Sequence, residues 1–218
     1  MALALETFKN RYDRELNVLT THGELIGDWS NVYDHCLTEG LVASVFADLL
    51  KLDADDREAL VKAALLHDWY KRKEREAAGQ HGASQYDAAA LRSAEGLKSL
   101  GYSERIAELT ASVGHTSLKA IEATDDFLRK LMHYIDDMVL QKTVIGLRER
   151  VQRTWAKDQY RELNESGRAV FGGKTYAQVQ EEVGLKIERQ VARRLGCAPG
   201  EVMIRVKDAL KETYQINS

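Results

Sequence analysis

Proline is almost missing from this chain: Pro199 is the single example in 218 residues. Long stretches therefore escape the strongest helix breaker, and helices are the expected element. Cysteine is nearly as scarce. Cys36 and Cys197 stand alone and far apart, which argues against a disulfide framework or a thiolate zinc site and leaves two inert thiols. No apolar run approaches the roughly 20 residues of a membrane span, and the opening MALALETFKNRYDREL has no basic segment followed by an apolar one. We read a cytoplasmic protein with no membrane partner. Neither sign of charge dominates, since 31 Lys and Arg face 34 Asp and Glu for a formal charge of -3. That balance gives no overall electrostatic reason to expect a nucleic-acid binder, and small phosphorylated partners stay open. Internal repeats and low-complexity linkers are also missing, so one domain over 1–218 is expected.

What is present is helical spacing. From Asn31 to Lys51 the residues Val32, Leu41, Val42, Val45, Phe46, Leu49 and Leu50 recur with helical period, and His35 falls on the face of Val42. A second helix opens at LDADD, where Asp53, Asp55 or Asp56 can cap it, and runs through EALVKAALLHDWYK. Two turns separate Leu60 from His67, which turns His67 inward near the end of that helix, with Asp68 about 100° further round. The following KRKEREAAGQHGASQ is polar and reads as a frayed end and a connection. Its cations, Lys71, Arg72, Lys73 and Arg75, alternate with glutamates as a solvated helix end does, so strong duplex binding is not expected. Helical spacing resumes from Tyr86 to Leu100 and stops at Gly101, and Ser103 caps a further helix through Val113. Thr124 or Asp125 can begin the next, whose stripe is Phe127, Leu128, Leu131, Ile135 and Met138, and which is expected to continue toward Ala156. After the glycine-bearing NESGRAVFGGKTYAQ come a long helix from about Tyr176 to Leu195 and a shorter one past Pro199. The fold class is all-α.

Some polar residues sit on these apolar faces. A single inward histidine such as His35 is more often a hydrogen-bonded core residue than a ligand. The doublet His67-Asp68 says more, because it follows VKAALL directly and places an imidazole and a carboxylate where buried charge needs compensation, which a metal would supply. Mixed imidazole and carboxylate donors suit Mn, Fe, Co, Ni or Zn. A third acid lies in LMHYIDDMVL, and helical periodicity does not choose between Asp136 and Asp137. Glu39, one turn after His35, could orient that ligand's second nitrogen, but reads more simply as a surface acid.

A histidine on one helix, a histidine-aspartate doublet ending a second and an aspartate on a later helix resemble the HD superfamily of metal-dependent phosphohydrolases. The matching segments are YDHCLTEGLVAS with His35, AALLHDWYK with His67 and Asp68, and MHYIDDMVL, with the first two histidines 32 positions apart. VGHTS followed by KLMHYIDDMV is similar to the smaller bacterial members that hydrolyse nucleotides. The resemblance covers about 31–140 and implies a single-domain helical bundle of the HD type, with the last part, about 150–218, as a helical C-terminal extension. Aligned on Tyr134, it implies Asp137 as the fourth ligand beside His35, His67 and Asp68.

The resemblance also implies one divalent metal ion (Mn, Fe, Co, Ni, Zn or Mg), because the position where two-metal members carry a further histidine falls near Asp87 or Ala88. His81 is several residues too early and reads as a loop histidine. The implied reaction is hydrolysis of a small phosphorylated, nucleotide-like molecule by metal-activated water, with Asp68 catalytic through the metal, Lys71 neutralising phosphate charge, and His115 contacting a phosphate oxygen or protonating the leaving group. Lys71 otherwise reads as a snorkelling surface lysine and His115 as a helix-end cap. Trp69 and Tyr70, bulkier than usual beside the doublet, narrow the site. Two alternatives follow from these departures: a non-catalytic nucleotide sensor and, less favoured by the missing histidine, a di-iron oxygenase. A homodimer is allowed.

Overall fold

The computed structural model describes residues 2–21, 30–71 and 85–215, with side chains for 4–21, 31–71 and 92–215. The stretch carrying Arg72, Lys73, Arg75 and His81, and the side chains at Asp87 and Ala88, lie outside the described residues.

Helices begin where a side chain satisfies their first amides. After α1 (Ala2–Arg11) and α2 (Asp13–Thr21) comes α3 (Ser30–Leu49), and α4 (Ala54–Leu66) starts at Asp53, whose carboxylate accepts from the Asp56 amide at 2.8 Å. Helix α5 (Gln85–Ser99) ends ahead of Gly101 as the spacing predicts, and Ser103 caps α6 (Glu104–Thr110). A short α7 (Leu118–Ala123) leads to α8 (Phe127–Asp136), capped by Asp126, which accepts from the Leu128 amide at 2.9 Å. The cap thus sits one or two residues beyond the Thr124 or Asp125 start that the sequence suggests.

The expected continuation of that helix toward Ala156 is not what forms. Helix α8 stops at Asp136, and a small antiparallel hairpin follows, β1 (Val139–Leu140) against β2 (Thr143–Val144), before α9 (Leu147–Trp155) begins. Val139 and Val144 face each other fully buried, and β-branched residues favour such pairing over another helical turn. The turn residue Gln141 takes a left-handed φ of 56°. Beyond α9, α10 (Arg161–Val170) occupies part of the glycine-bearing stretch, and α11 (Tyr176–Leu195) and α12 (Val202–Tyr214) match the two helices expected at the end. Thr175 and Gln178 cap α11 reciprocally.

These last helices are not an appendage. Val179, Val183, Ile187 and Val191 of α11 and Val202, Val206 and Leu210 of α12 are buried in the same apolar cluster as Val42 and Phe46 of α3 and Leu60 and Leu65 of α4. Tyr214 donates to Ser44 on α3 at 3.0 Å, and Tyr134 on α8 donates to Glu188 on α11 at 3.0 Å. The C-terminal extension expected at about 150–218 is helical and shares its core with the earlier helices: apolar stripes on α11 and α12 need burial, and α3 and α8 provide it. The centre of the packing is the α3–α4 pair. At Gly40 an added Cβ would lie 2.6 Å from Leu65 Cδ2, so the two helices touch because that residue has no side chain. Among the described residues no helix is long and apolar enough to cross a membrane.

Candidate metal centre

The close approach at Gly40 brings one face of α3 against the end of α4. His35 and Glu39 lie one turn apart on that face, and His67 meets them just past the last residue of α4. The His35 and His67 rings are edge to face with centroids 5.2 Å apart. Asp136, the last residue of α8, completes the group: one donor atom from each of His35, Glu39, His67 and Asp136 falls within 4.8 Å of the others. Such a set of two imidazoles and two carboxylates can hold a metal ion.

Hydrogen bonding fits that use. His67 Nδ1 donates to the Ala64 carbonyl at 2.9 Å, which leaves Nε2 as the lone-pair nitrogen, and Nε2 is buried with no hydrogen-bond partner. Both Glu39 carboxylate oxygens are fully buried and lack a hydrogen bond. His35 Nε2 stands 2.9 Å from one of them, and His67 Nδ1 stands 3.3 Å from the other, as ion-pair contacts off the hydrogen-bonding direction. Buried acceptors left this way cost on the order of 1–3 kcal/mol each, and a cation would satisfy three at once. His35 is steered from its other side, where Nδ1 meets the Gln141 carbonyl at 3.2 Å. The left-handed Gln141 thus aims its carbonyl at a histidine, a strained turn residue tied to the site.

Charges reinforce one another here. Burial alone would lower the His35 pKa, but the carboxylates of Glu39 and Asp136, the latter 3.7 Å from Nε2, outweigh it and raise it to about 10. Burial raises the Glu39 carboxyl above its ordinary range, against the pull of His67 and His35. Asp136 is also buried, yet His35 and Arg150 hold it well below the ordinary range, and Arg150 Nη2 lies 3.6 Å from its carboxylate.

Of the residues predicted as ligands, His35 and His67 come together, Asp68 stands beside them, and Asp137 does not join. Asp68 lines the same cleft with Oδ2 3.8 Å from His67 Nε2, and its other oxygen accepts from Lys71 at 2.9 Å. Despite burial, Lys71 and the two histidines lower its pKa to about 2. Asp137 lies about 100° further round the helix end from Asp136. It turns instead to His133 Nε2, at 3.4 Å, and to the Gln180 amide on α11, while burial raises its pKa to about 6. His133 in turn donates from Nδ1 to the Ser112 carbonyl at 2.9 Å. Asp136, not Asp137, is thus the acid that joins the group able to hold a metal, and the surface reading of Glu39 is overturned, since that side chain is 0% exposed.

The group opens into a cleft of about 270 Å³ lined by residues from both halves of the chain. Lys71, Arg150 and Lys157 supply positive charge, and Trp155, Tyr160 and Leu163 supply an apolar wall. His115 follows Gly114, whose φ of 79° turns the chain so that the histidine enters the cleft. Burial and the nearby Lys71 lower its pKa to about 4, and its ring stands 6.1 Å from Trp155 and 5.1 Å from Tyr176, edge to face in each case. Glu39, Arg150, Trp155 and Gln180 are the site residues that sequence reasoning missed. Glu39 alone carried a signal, for it shares a helix face with Val42 and Phe46, three and seven residues on, where a surface acid does not belong. Comparison with protein-family models, with curated proteins and with solved structures finds no match for this chain.

Proposed function

We propose that this chain is a metal-dependent phosphohydrolase of the HD type acting on a small phosphorylated molecule. The observation that carries the reading is the buried His35, Glu39, His67 and Asp136 group at the floor of a cleft that also presents Lys71, Arg150 and His115. These four residues would hold one divalent cation, with Asp68 adding a donor at the edge of the group. Bound there, the cation would lower the pKa of a water and polarise a phosphoryl oxygen. The remaining work belongs to the protein. Arg150, anchored by Nε on the Val139 carbonyl at 2.8 Å, directs its guanidinium toward the group and is the fork suited to phosphate oxygens. Lys71, paired with Asp68, adds a point charge to the same cleft. His115, neutral at ordinary pH, offers one N–H to a phosphate oxygen, and an arriving dianion would raise its pKa toward the range useful for protonating a leaving group.

The test is metal content after loading with Mn²⁺, Co²⁺ or Zn²⁺, followed by phosphate release from a panel of phosphate esters. We expect near-stoichiometric metal and turnover in the wild type. His67→Ala, folded by circular dichroism, should lose both, with turnover down by more than about 100-fold. A metal-loaded wild type that binds phosphate esters without hydrolysing any would overturn the enzymatic reading in favour of a sensor. Wild-type turnover in His67→Ala would overturn the assignment of the site.

A further inference from the structure

The cleft is built in two unlike parts, joined by one helix. At one end Arg150 reaches the carboxylate group; five residues along α9, Trp155 forms part of the other end. Both residues line the cleft although they stand more than a full turn apart on that helix. Trp155 is held in place from three sides. Its ring lies nearly parallel to Tyr176, at 9° and 6.0 Å, and meets Tyr160 edge to face at 6.0 Å. Its Nε1 donates to Gln180 Oε1 at 2.7 Å, and the same Gln180 amide donates to Asp137, beside Asp136 of the carboxylate group. The indole is only half-buried, and what its neighbours leave uncovered lines the cleft.

We propose that Trp155, positioned by Gln180, is the platform on which this protein takes the flat ring of its substrate, making that substrate a nucleoside phosphate and not a bare sugar phosphate. The inference rests on the function proposed above for the phosphate end, but concerns residues that the metal group does not include. A fixed aromatic face contributes affinity through stacking, which tolerates any base. At the ring end the His115 edge and the Tyr160 ring meet the indole, so the surface around it is mainly aromatic, with Lys157 beside it in the cleft lining. Gln180 uses one amide for both the indole and Asp137, so the platform and the carboxylate end of α8 keep a common register.

Calorimetry with adenosine 5′-monophosphate and with ribose 5-phosphate, on the protein before metal loading, tests the platform without turnover. Wild type should bind the nucleotide roughly tenfold or more tighter than the sugar phosphate. Trp155→Leu should remove that ratio and leave ribose 5-phosphate binding unchanged, Trp155→Phe should restore most of it, and Gln180→Leu should weaken it. On the metal-loaded protein the same ratio should appear in KM more than in kcat. A general disturbance of the fold would weaken both ligands alike, and circular dichroism identifies it. A wild type that does not prefer the nucleotide, or a preference that survives Trp155→Leu, overturns the platform. If nothing is hydrolysed but the ratio holds and depends on Trp155, the platform stands and the hydrolytic reading falls.

Discussion

Adjacent aspartates can have opposite roles, and Asp136 and Asp137 give a direct comparison. Asp136 faces His35 and Arg150; Asp137 faces His133 and Gln180 behind it. Asp136→Asn should therefore cut metal affinity by two orders of magnitude or more, whereas Asp137→Asn should cost about 10-fold, as a supporting residue does. Equal losses in a metal titration would reject the distinction. His115 allows a test by pH. Its folded pKa of about 4 lies below the ordinary 6.5, so between those values the unfolded chain binds more protons and stability rises with pH. Stability from this residue is intact above about 6.5 and is lost as pH falls toward 4. Denaturant unfolding should show about 2 kcal/mol less stability at pH 5 than at pH 7 from this residue, and His115→Gln should remove that part of the slope.

The α3–α4 contact is where element geometry reaches the site. Gly40→Ala would push a methyl into Leu65, at the contact that sets His35 and Glu39 against His67. We expect about 1–3 kcal/mol of destabilisation together with weaker metal binding; destabilisation with unchanged affinity would mean that the helices re-seat without moving the ligands. Helices of this kind were legible in the sequence because apolar residues repeat every three or four positions and caps announce their starts. The break at Asp136 was not, since Ile135, Met138 and Val139 extend the helical stripe of α8 while the pairing of Val139 with Val144 that ends it depends on a partner strand. His35 and His67 were found by their place on apolar faces. Period alone could not separate Asp136 from Asp137, and nothing local links Arg150, Trp155 or Gln180 to residues more than 80 positions earlier; only the tertiary packing of α9 and α11 does.

For the molecule as a whole, a metal that binds the folded state alone adds stability by mass action. At about 100 times its dissociation constant the gain is about 2.7 kcal/mol, or roughly 5–10 °C in Tm for a chain of this length. A chelator should return the melting curve to the metal-free value, and the shift should be absent in His67→Ala. The shared core has a further consequence, for inheritance and engineering. Because α11 and α12 complete the interior that α3 and α4 begin, and α9 and α11 bring Arg150 to Asp136 and Gln180 to Asp137, the histidine and aspartate segments are not a portable cassette. A chain cut near residue 140 would keep its donors but have an open flank and no Arg150 beside Asp136. Because both ends of the chain also pack into this interior, the segments would have to be exchanged together with the helices that cover them.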